Sequence, residues 1–228
     1  MLQRFAFGFL TLLLAVAVGG STARADFITI SQPTAAYTSS TTNIPITDPD
    51  GTDITSLSDG TMTLSFSSQV QTRTVPNSWS TWGSPPFTES NTPRVLTTCI
   101  GSACGNSLTI TLSQPAYIFG FEAEPNNFGV YNITASFYQG ATLVGTISQG
   151  VNGNSGARLF AAQTSTNPFT TVVIQADSDA NGFAIAQLRY SLQSPQPAPV
   201  PEPTTMLLLG TGLAGVAGAL RRRRRQRE

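Results

Sequence analysis

Two stretches of the sequence, TMTLSF at residues 61–66 and SLTITL at residues 107–112, place an apolar side chain at every second position. Successive side chains of a β-strand point to opposite faces, so this period of two predicts strands with one buried and one polar face. Further strand candidates share short runs of β-branched or aromatic residues: 27–30, 95–100, 116–123, 131–138, 142–148, 158–161, 170–176 and 182–191. No part of this region has a convincing helical period.

Turn-forming residues separate these runs and predict how they connect. Tyr138-Gln139-Gly140-Ala141 is typical of a tight glycine turn, and residues 150–156 form a loop rich in glycine and asparagine. Such connections favour antiparallel hairpins. About ten short strands joined in this way predict an all-β fold, namely an antiparallel two-sheet β-sandwich of the jelly-roll kind.

The residue inventory excludes several classes of function. The 228-residue chain has no lysine and no histidine, which excludes histidine general bases, Ser-His-Asp triads, Cys-His dyads and most zinc sites. Six of the twelve arginines lie in the last eight residues, whereas residues 26–200 hold ten acidic residues and four arginines. The resulting net charge of −6 in that region disfavours nucleic acid as a partner.

Residues 1–25 have the three parts of a secretion signal. Arg4 precedes an apolar run at residues 5–18, and the small residues that follow end in Ala23-Arg24-Ala25. This order predicts a signal peptide that is cleaved after Ala25. The alternative is a retained membrane helix, but the apolar run is shorter than the roughly 20 residues that a span needs.

The end of the chain contains three ordered parts. A proline-rich linker at residues 194–203 ends in Val200-Pro201-Glu202-Pro203, residues 204–220 carry no charge, and residues 221–228 carry an arginine cluster. The uncharged segment predicts a transmembrane helix of about 26 Å in inner-membrane lipid. The predicted stop-transfer residues are Arg221, Arg222, Arg223, Arg224 and Arg225, which would stay in the cytoplasm and leave the large domain on the other side. A nucleic-acid or nuclear signal is the alternative for a basic run, but its place beside an uncharged segment favours stop-transfer.

This tail resembles the PEP-CTERM sorting signal of Gram-negative bacteria, which combines a Pro-Glu-Pro motif, a short glycine-containing helix and a terminal arginine cluster. The resemblance implies processing by exosortase, a membrane protease with a cysteine nucleophile, near Pro201, Glu202 and Pro203. It also implies export associated with extracellular polysaccharide or biofilm. Glycosylphosphatidylinositol signals normally end in an apolar tail without arginines, and Gram-positive sortase signals contain Leu-Pro-x-Thr-Gly, so neither pattern is matched.

Cys99 and Cys104 are the two cysteines of the chain. Because the chain is predicted to reach an oxidising compartment, we expect them to form a disulfide that fixes the turn around Gly101. A redox role is the less favoured alternative, since the spacing is not Cys-x-x-Cys and no basic residue flanks either thiol.

Two acidic loops have alternating oxygen ligands of the kind that calcium prefers. They are Asp48-Pro49-Asp50-Gly51-Thr52-Asp53 and Asp177-Ser178-Asp179-Ala180-Asn181-Gly182. The first lacks a glycine at the sixth position, and the second has Leu188 where a bidentate acid is needed. Ordinary Asx turns are therefore the favoured interpretation of both loops, and no cofactor is predicted, with calcium as the open alternative.

Two other pairs of residues have a possible role with sugars. Glu122 and Glu124 lie on one face of a predicted strand, about 7 Å apart, which would suit the paired carboxylates of a glycosidase. A solvent-facing strand edge is the favoured interpretation. Trp79 and Trp82 lie in a Pro-, Ser- and Asn-rich stretch at residues 75–93 and could form a stacking platform for sugar rings, although aromatics that anchor a loop are favoured.

The favoured functional hypothesis is a non-catalytic exported protein whose β-sandwich domain occupies residues 26–193. It would be anchored transiently in the inner membrane, cut by an exosortase-like protease, and then held in the cell envelope or the extracellular matrix, with extracellular polysaccharide as a further candidate partner. Residues 119–122, 133–137 and 183–188 loosely resemble ectodomains found ahead of this tail, which implies a carbohydrate-binding-like sandwich. The alternatives are a carbohydrate-binding module acting through the tryptophans and, less favoured, a glycoside hydrolase using the glutamates.

Overall fold

The computed structural model describes residues 26–195 and Thr211. Four predicted segments lie outside the described residues: the signal peptide with Ala23 and Ala25, the sorting motif at residues 200–203, the transmembrane helix at residues 204–220 except Thr211, and the arginine tail. Within the described part of the chain, no helix combines the length and the apolar character needed to cross a membrane.

The described domain is built almost entirely of strands. In chain order the elements are β1 (Ile28–Ile30), α1 (Ala35–Ser40), β2 (Thr42–Asn43), β3 (Asp53–Ser58), β4 (Thr63–Thr74), β5 (Arg94–Thr97), β6 (Cys99–Ile100), β7 (Ala103–Cys104), β8 (Ser107–Ala116), β9 (Ile118–Pro125), β10 (Val130–Gln139), β11 (Thr142–Asn152), β12 (Arg158–Gln163), β13 (Phe169–Ala176), a single 3-10 turn (Ser178–Ala180) and β14 (Phe183–Ser191). All the strand pairs are antiparallel, so the predicted all-β, antiparallel fold is confirmed.

One continuous sheet replaces the two separate sheets that the sequence predicted. Its strand order is β1-β12-β9-β14-β5-β4-β8-β13-β10-β11, with β2 on β14 and β3 on β4, while β6 and β7 form a small hairpin of their own. The reason is the length of β4, whose residues Leu64–Phe66 pair with β8 while Gln71–Thr74 pair with β5. The strand thus belongs to both halves, and the sheet curves into an almost closed barrel.

Phenylalanines from both halves of the sheet fill the interior. Phe121 of β9 stacks on Phe160 of β12 with ring centroids 5.7 Å apart, and Phe137 of β10 packs against Phe169 of β13 at 5.0 Å. All four rings are fully buried, and each is expected to contribute the several kcal/mol typical of a buried aromatic side chain. This core brings the two halves of the sheet face to face.

Phe27 closes the gap between the two end strands, β1 and β11, which do not pair with each other. Its ring lies 5.5 Å from Phe137 and 6.1 Å from Phe169. A Cβ at position 145 of β11 would lie 2.3 Å from the Phe27 ring, so only glycine fits there. The side chain of Gln149 completes the closure by donating a 2.8 Å hydrogen bond to the carbonyl of Leu159.

Asp26, the first described residue, is held by the loop between β12 and β13. One carboxylate oxygen accepts hydrogen bonds from the Ser165 hydroxyl at 2.6 Å and the Ser165 N–H at 2.7 Å. The other accepts hydrogen bonds from both the N–H and the side chain of Thr166 and of Asn167, and from the Thr164 hydroxyl. Desolvation raises the pKa of Asp26, but these hydrogen bonds outweigh it and hold the pKa well below its usual range.

We expect Asp26→Ala to lower the free energy of unfolding by about 2 kcal/mol, because the loop loses an acceptor that satisfies several donors at once. Urea unfolding at pH 7 measures this change. Asp179→Ala is the matched control, since within residues 26–195 the carboxylate of Asp179 accepts a hydrogen bond from the Ser178 hydroxyl alone. Equal effects from the two substitutions would show that the loop does not depend on Asp26.

Candidate functional site

Two glutamates lie buried on the outer face of β9. Phe119, Phe121 and Ala123 of this strand point into the core, so the alternation of a strand places Glu122 and Glu124 on the opposite face. Both glutamates are 0% exposed. The prediction that they share one face is therefore right, but the prediction that this face is a solvated strand edge is wrong.

The long connection between β4 and β5, residues 75–93, covers that face, and we call it the covering loop. Trp79 and Trp82 project from it against Ala184 and Ala186 of β14, which are small enough to leave room for the rings. The two tryptophans are only 8% and 3% exposed. The interpretation of these rings as an exposed sugar platform is therefore wrong, because they anchor the covering loop onto the sheet.

Each tryptophan donates its indole N–H to one of the glutamates. The Trp82 Nε1–H donates to Glu122 Oε2 at 2.9 Å, and the backbone N–H of Glu89 donates to Glu122 Oε1 at 2.5 Å. Desolvation raises the pKa of Glu122 to about 7, although both hydrogen bonds oppose that rise. Glu122 thus titrates near neutral pH inside the fold.

Glu124 has an equivalent but denser set of partners. It accepts hydrogen bonds from Trp79 Nε1–H at 2.9 Å, from the Thr81 hydroxyl at 3.3 Å, and from the Gly156 N–H at 3.2 Å. Burial is the main cause that raises its pKa, with these donors acting in the opposite direction. Every carboxylate oxygen of the two glutamates therefore accepts a hydrogen bond from a protein donor, and both side chains are fully buried.

An ion pair fixes the far side of the covering loop. Arg189 of β14 contacts Glu89 through two hydrogen bonds, Nε to Oε1 at 2.6 Å and the terminal nitrogen to Oε2 at 2.8 Å. The same guanidinium donates to the carbonyls of Thr38 and Thr41 at the end of α1. A bidentate, largely buried pair of this kind holds the loop, the sheet and α1 in one arrangement.

A cleft of about 310 Å³ opens beside the covering loop, at the end of β9. It is lined by Ser78, Trp79, Ser80, Thr81, Pro125, Asn126, Asn127, Phe128 and Gly153. The ring of Phe128 is 65% exposed at this cleft. Phe128 was not among the predicted site residues, and the signal that indicates it is an aromatic residue in the turn Asn126-Asn127-Phe128-Gly129.

The family model described as the PEP-CTERM protein-sorting motif matches residues 199–225. The chain carries a PEP-CTERM sorting signal. The Val200-Pro201-Glu202-Pro203 motif and Arg221 to Arg225 all lie inside the matched range. No curated protein sequence matches the chain.

The domain ahead of the PEP-CTERM signal is distantly similar to several solved structures. A family 29 carbohydrate-binding module from Piromyces equi is 12% identical, and the alignment covers 71% of this chain and 95% of the module with a TM-score of 0.31. The module TmCBM61, solved with β-1,4-galactotriose, is 13% identical over 57% of this chain and 88% of its own, with a TM-score of 0.33. The active domain of the bacteriophage CBA120 tailspike protein 4 is 20% identical over 59% of this chain but only 20% of its own, with a TM-score of 0.30. Similarities of this size assign no function to the chain.

The predicted disulfide between Cys99 and Cys104 is confirmed. It joins β6 to β7 around Gly101, whose positive φ of 60° suits glycine. The hairpin packs against Gly182 at the start of β14, where an added Cβ would lie 2.7 Å from the Cys99 sulfur. The bridge therefore stabilises the same end of the barrel as the cleft.

The aspartates of the two acidic loops bond to protein groups. In the first loop, Asp50 accepts hydrogen bonds from the Thr74 and Ser78 hydroxyls at 2.6 Å and lies 3.3 Å from Arg94, which also donates to the Asp48 carbonyl. In the second, Asp177 accepts from the Asn132 N–H at 2.8 Å, and Asp179 accepts from the Ser178 hydroxyl. Across the described residues, no three His, Cys, Asp or Glu side chains group closely enough to hold a metal ion.

Proposed function

We propose that the chain is a non-catalytic exported surface or matrix protein that an exosortase-like protease sorts and cuts. The PEP-CTERM motif at residues 199–225 is the observation that carries this proposal. In this scheme the signal peptide is removed after Ala25, the tail holds the precursor in the inner membrane, and cleavage near Pro201-Glu202-Pro203 passes the domain to the envelope or the matrix. In the matrix, extracellular polysaccharide is the polymer that the domain would contact.

The structure of the domain supports this role through its two ends. Removal of the signal peptide after Ala25 would make Asp26 the first residue of the mature protein, and Asp26 is held by the β12–β13 loop. At the other end of the domain the Ser194 hydroxyl donates a 3.2 Å hydrogen bond to the carbonyl of Ser165 in the same loop. Both ends of the domain are thus fixed at one place, next to the start of the sorting linker.

A second candidate function is carbohydrate binding, and the cleft beside Phe128 is the observation that favours it. The cleft takes the place of the tryptophan platform that the sequence suggested. The glycoside hydrolase hypothesis gains no support, because Glu122 and Glu124 are sealed beneath the covering loop and bonded to it.

Substitution of the sorting motif tests the main proposal in the host strain. We expect Pro201→Ala combined with Glu202→Ala to leave the protein at precursor size in the membrane fraction, because the protease would no longer recognise its site. Immunoblots of membrane, envelope and culture fractions measure this. Pro197→Ala with Gln196→Ala, in the same linker, is the control and should be processed normally. Normal processing of the motif variant would contradict the proposal.

A further inference from the structure

We infer that the cleft beside Phe128 binds a neutral saccharide, with a sugar ring stacked on Phe128 and its hydroxyls bonded to Asn126 and Ser80. This inference deepens the proposed surface role by naming a ligand class. It rests on that proposal in one respect, namely that the cleft faces away from the attachment point of the domain. The evidence for the cleft is the arrangement of the residues that line it, at 78–81, 125–128 and 153.

The cleft lies at the end of the barrel opposite the sorting linker. At one pole, Ile118 begins β9 beside Gln163 of β12 and Ser191 of β14, and the chain leaves for the linker just after Ser191. At the other pole, Pro125 ends β9 beside Phe183, and Phe128 follows in the next turn. Eight strand residues separate the two poles by about 25 Å. The cleft is therefore at the far pole from the attachment point, where a tethered domain meets external polymers first.

Phe128 supplies the stacking surface. Its ring is 65% exposed, and within the described residues it makes no ring contact with another aromatic side chain. The C–H face of a sugar ring is apolar and packs well on an aromatic face, so a wall formed by one exposed ring suits a saccharide. Val130, the first residue of β10, is 71% exposed but does not line the cleft.

Uncommitted polar groups stand next to that ring. In the part of the chain that the structure describes, neither the side-chain amide of Asn126 nor the Ser80 hydroxyl makes a hydrogen bond. An amide offers donors and an acceptor together, as does a hydroxyl, and this matches the mixed donor and acceptor character of sugar hydroxyls. A few placed polar groups beside an apolar wall are the usual composition of a small-ligand pocket.

The walls of the cleft are fixed by hydrogen bonds that do not use these groups. The Thr81 hydroxyl donates to the Gly153 carbonyl at 3.3 Å, and the backbone N–H groups of Asn126 and Asn127 donate to the carbonyls of Gly182 and Ala180 at 3.0 Å. Trp79 is held by Glu124. A preformed cleft loses little conformational entropy on binding, which favours affinity for a small ligand.

Charge and size restrict the ligand class. Among the residues that the structure describes, no charged side chain lines the cleft, and the domain carries ten acidic residues against four arginines, so an anionic polysaccharide would be repelled. A volume of 310 Å³ is at the lower end for ligand pockets and suits about one or two sugar rings of a chain. These properties together favour a neutral polysaccharide bound at a short segment.

Affinity electrophoresis of the full chain tests this inference. The protein, solubilised in a non-ionic detergent without a sugar headgroup, is run in native gels that contain dextran, galactan, mannan or mixed-linkage glucan, with alginate as the anionic comparison. We expect at least one neutral polysaccharide to slow the wild type, and Phe128→Ala to weaken that binding roughly tenfold or more. Asn126→Ala should weaken it as well, whereas Val130→Ala, the matched control, should leave it unchanged.

Three results would overturn the inference: no retardation in any neutral gel, retardation that Phe128→Ala leaves intact, or retardation by alginate alone. Processing of each variant in the host strain separates this outcome from the main proposal. A Phe128→Ala protein that is cut normally but no longer binds would support both. If the wild type binds a neutral polysaccharide but the sorting-motif variant is processed normally, the binding site is supported and only the sorting role is contradicted.

Discussion

Trp82→Ala should lower the free energy of unfolding by about 4 kcal/mol, because it removes a buried ring that seals the covering loop onto β9 and β14. It also removes one of the two N–H donors of Glu122, a side chain with no access to water. Trp82→Phe keeps most of the ring volume and loses the donor, so we expect a smaller loss of about 1–3 kcal/mol. Urea unfolding followed by far-ultraviolet circular dichroism measures both changes.

Phe87→Ala is the matched control for the tryptophan. Phe87 belongs to the same loop, but its ring is 41% exposed, and the Arg158 guanidinium lies over it at 4.1 Å from the ring centroid. We expect a loss of less than about 1 kcal/mol for this variant. Comparable losses for Trp82→Ala and Phe87→Ala would mean that Trp82 does not anchor the covering loop.

The free energy of unfolding should fall by about 2–3 kcal/mol as the pH rises from 5 to 8. The pKa of Glu122 is raised from 4.5 to about 7 in the folded protein. The unfolded chain therefore releases this proton at lower pH than the folded chain does, so the contribution of Glu122 to stability is fully present below pH 4.5 and is lost as the pH rises through 7. Glu124, whose pKa is also raised by burial, adds a change of the same sign.

Glu122→Gln should remove most of this pH dependence, because an amide stays neutral at every pH. Its oxygen can accept the Trp82 N–H, but its NH2 then faces the Glu89 N–H, so we expect a loss of stability that is the same at every pH. Denaturant midpoints of wild type and variant between pH 5 and 8 measure the difference. Asp26, Asp50 and Asp59 have lowered pKa values and affect stability only at more acidic pH, so they do not confuse the comparison. Asp177→Asn is the control and should keep the wild-type slope. A variant with an unchanged slope would show that Glu122 is not the titrating group.

The strands with strict alternation could be predicted from the sequence, since the period of two reports burial on one face directly. The stretches at 61–66 and 107–112 lie in β4 and β8, although β4 begins at Thr63 and runs on to Thr74. Its continuation was missed because Ser67-Ser68-Gln69 interrupts the apolar pattern while hydrogen bonds to β3 and β5 maintain the strand. That extension is also what joins the two halves into one sheet.

Two elements near the start of the domain could not be predicted from local pattern. The helix α1 has six residues, is capped by Thr34 and buries only Tyr37, so it is too short to show a period. Strand β3, Asp53–Ser58, lies where the sequence suggested the end of an acidic loop, and its pairing with β4 decides its conformation. In both cases tertiary contact outweighs local propensity.

The candidate sites depended on contacts between distant parts of the chain. Trp82 and Glu122 are forty positions apart, and nothing local shows that residues 75–93 fold over β9. The sequence nevertheless contained a physical indication of this contact. Glu122 and Glu124 alternate with Phe119, Phe121 and Ala123, so in a central strand their carboxylates would be buried and would need hydrogen-bond donors. The indole N–H groups of the tryptophans are suitable donors. The disulfide, by contrast, could be predicted from the expected oxidising compartment and the closeness of the two cysteines in the sequence.

The mass of the mature protein recovered from its own host tests the sorting proposal most directly. We predict a chain that begins at Asp26 and lacks the segment after the Pro-Glu-Pro motif, including the arginine cluster. Intact-mass spectrometry with sequencing of the terminal peptides measures both ends at once. A mature population that retains Arg221 to Glu228 would contradict the proposal.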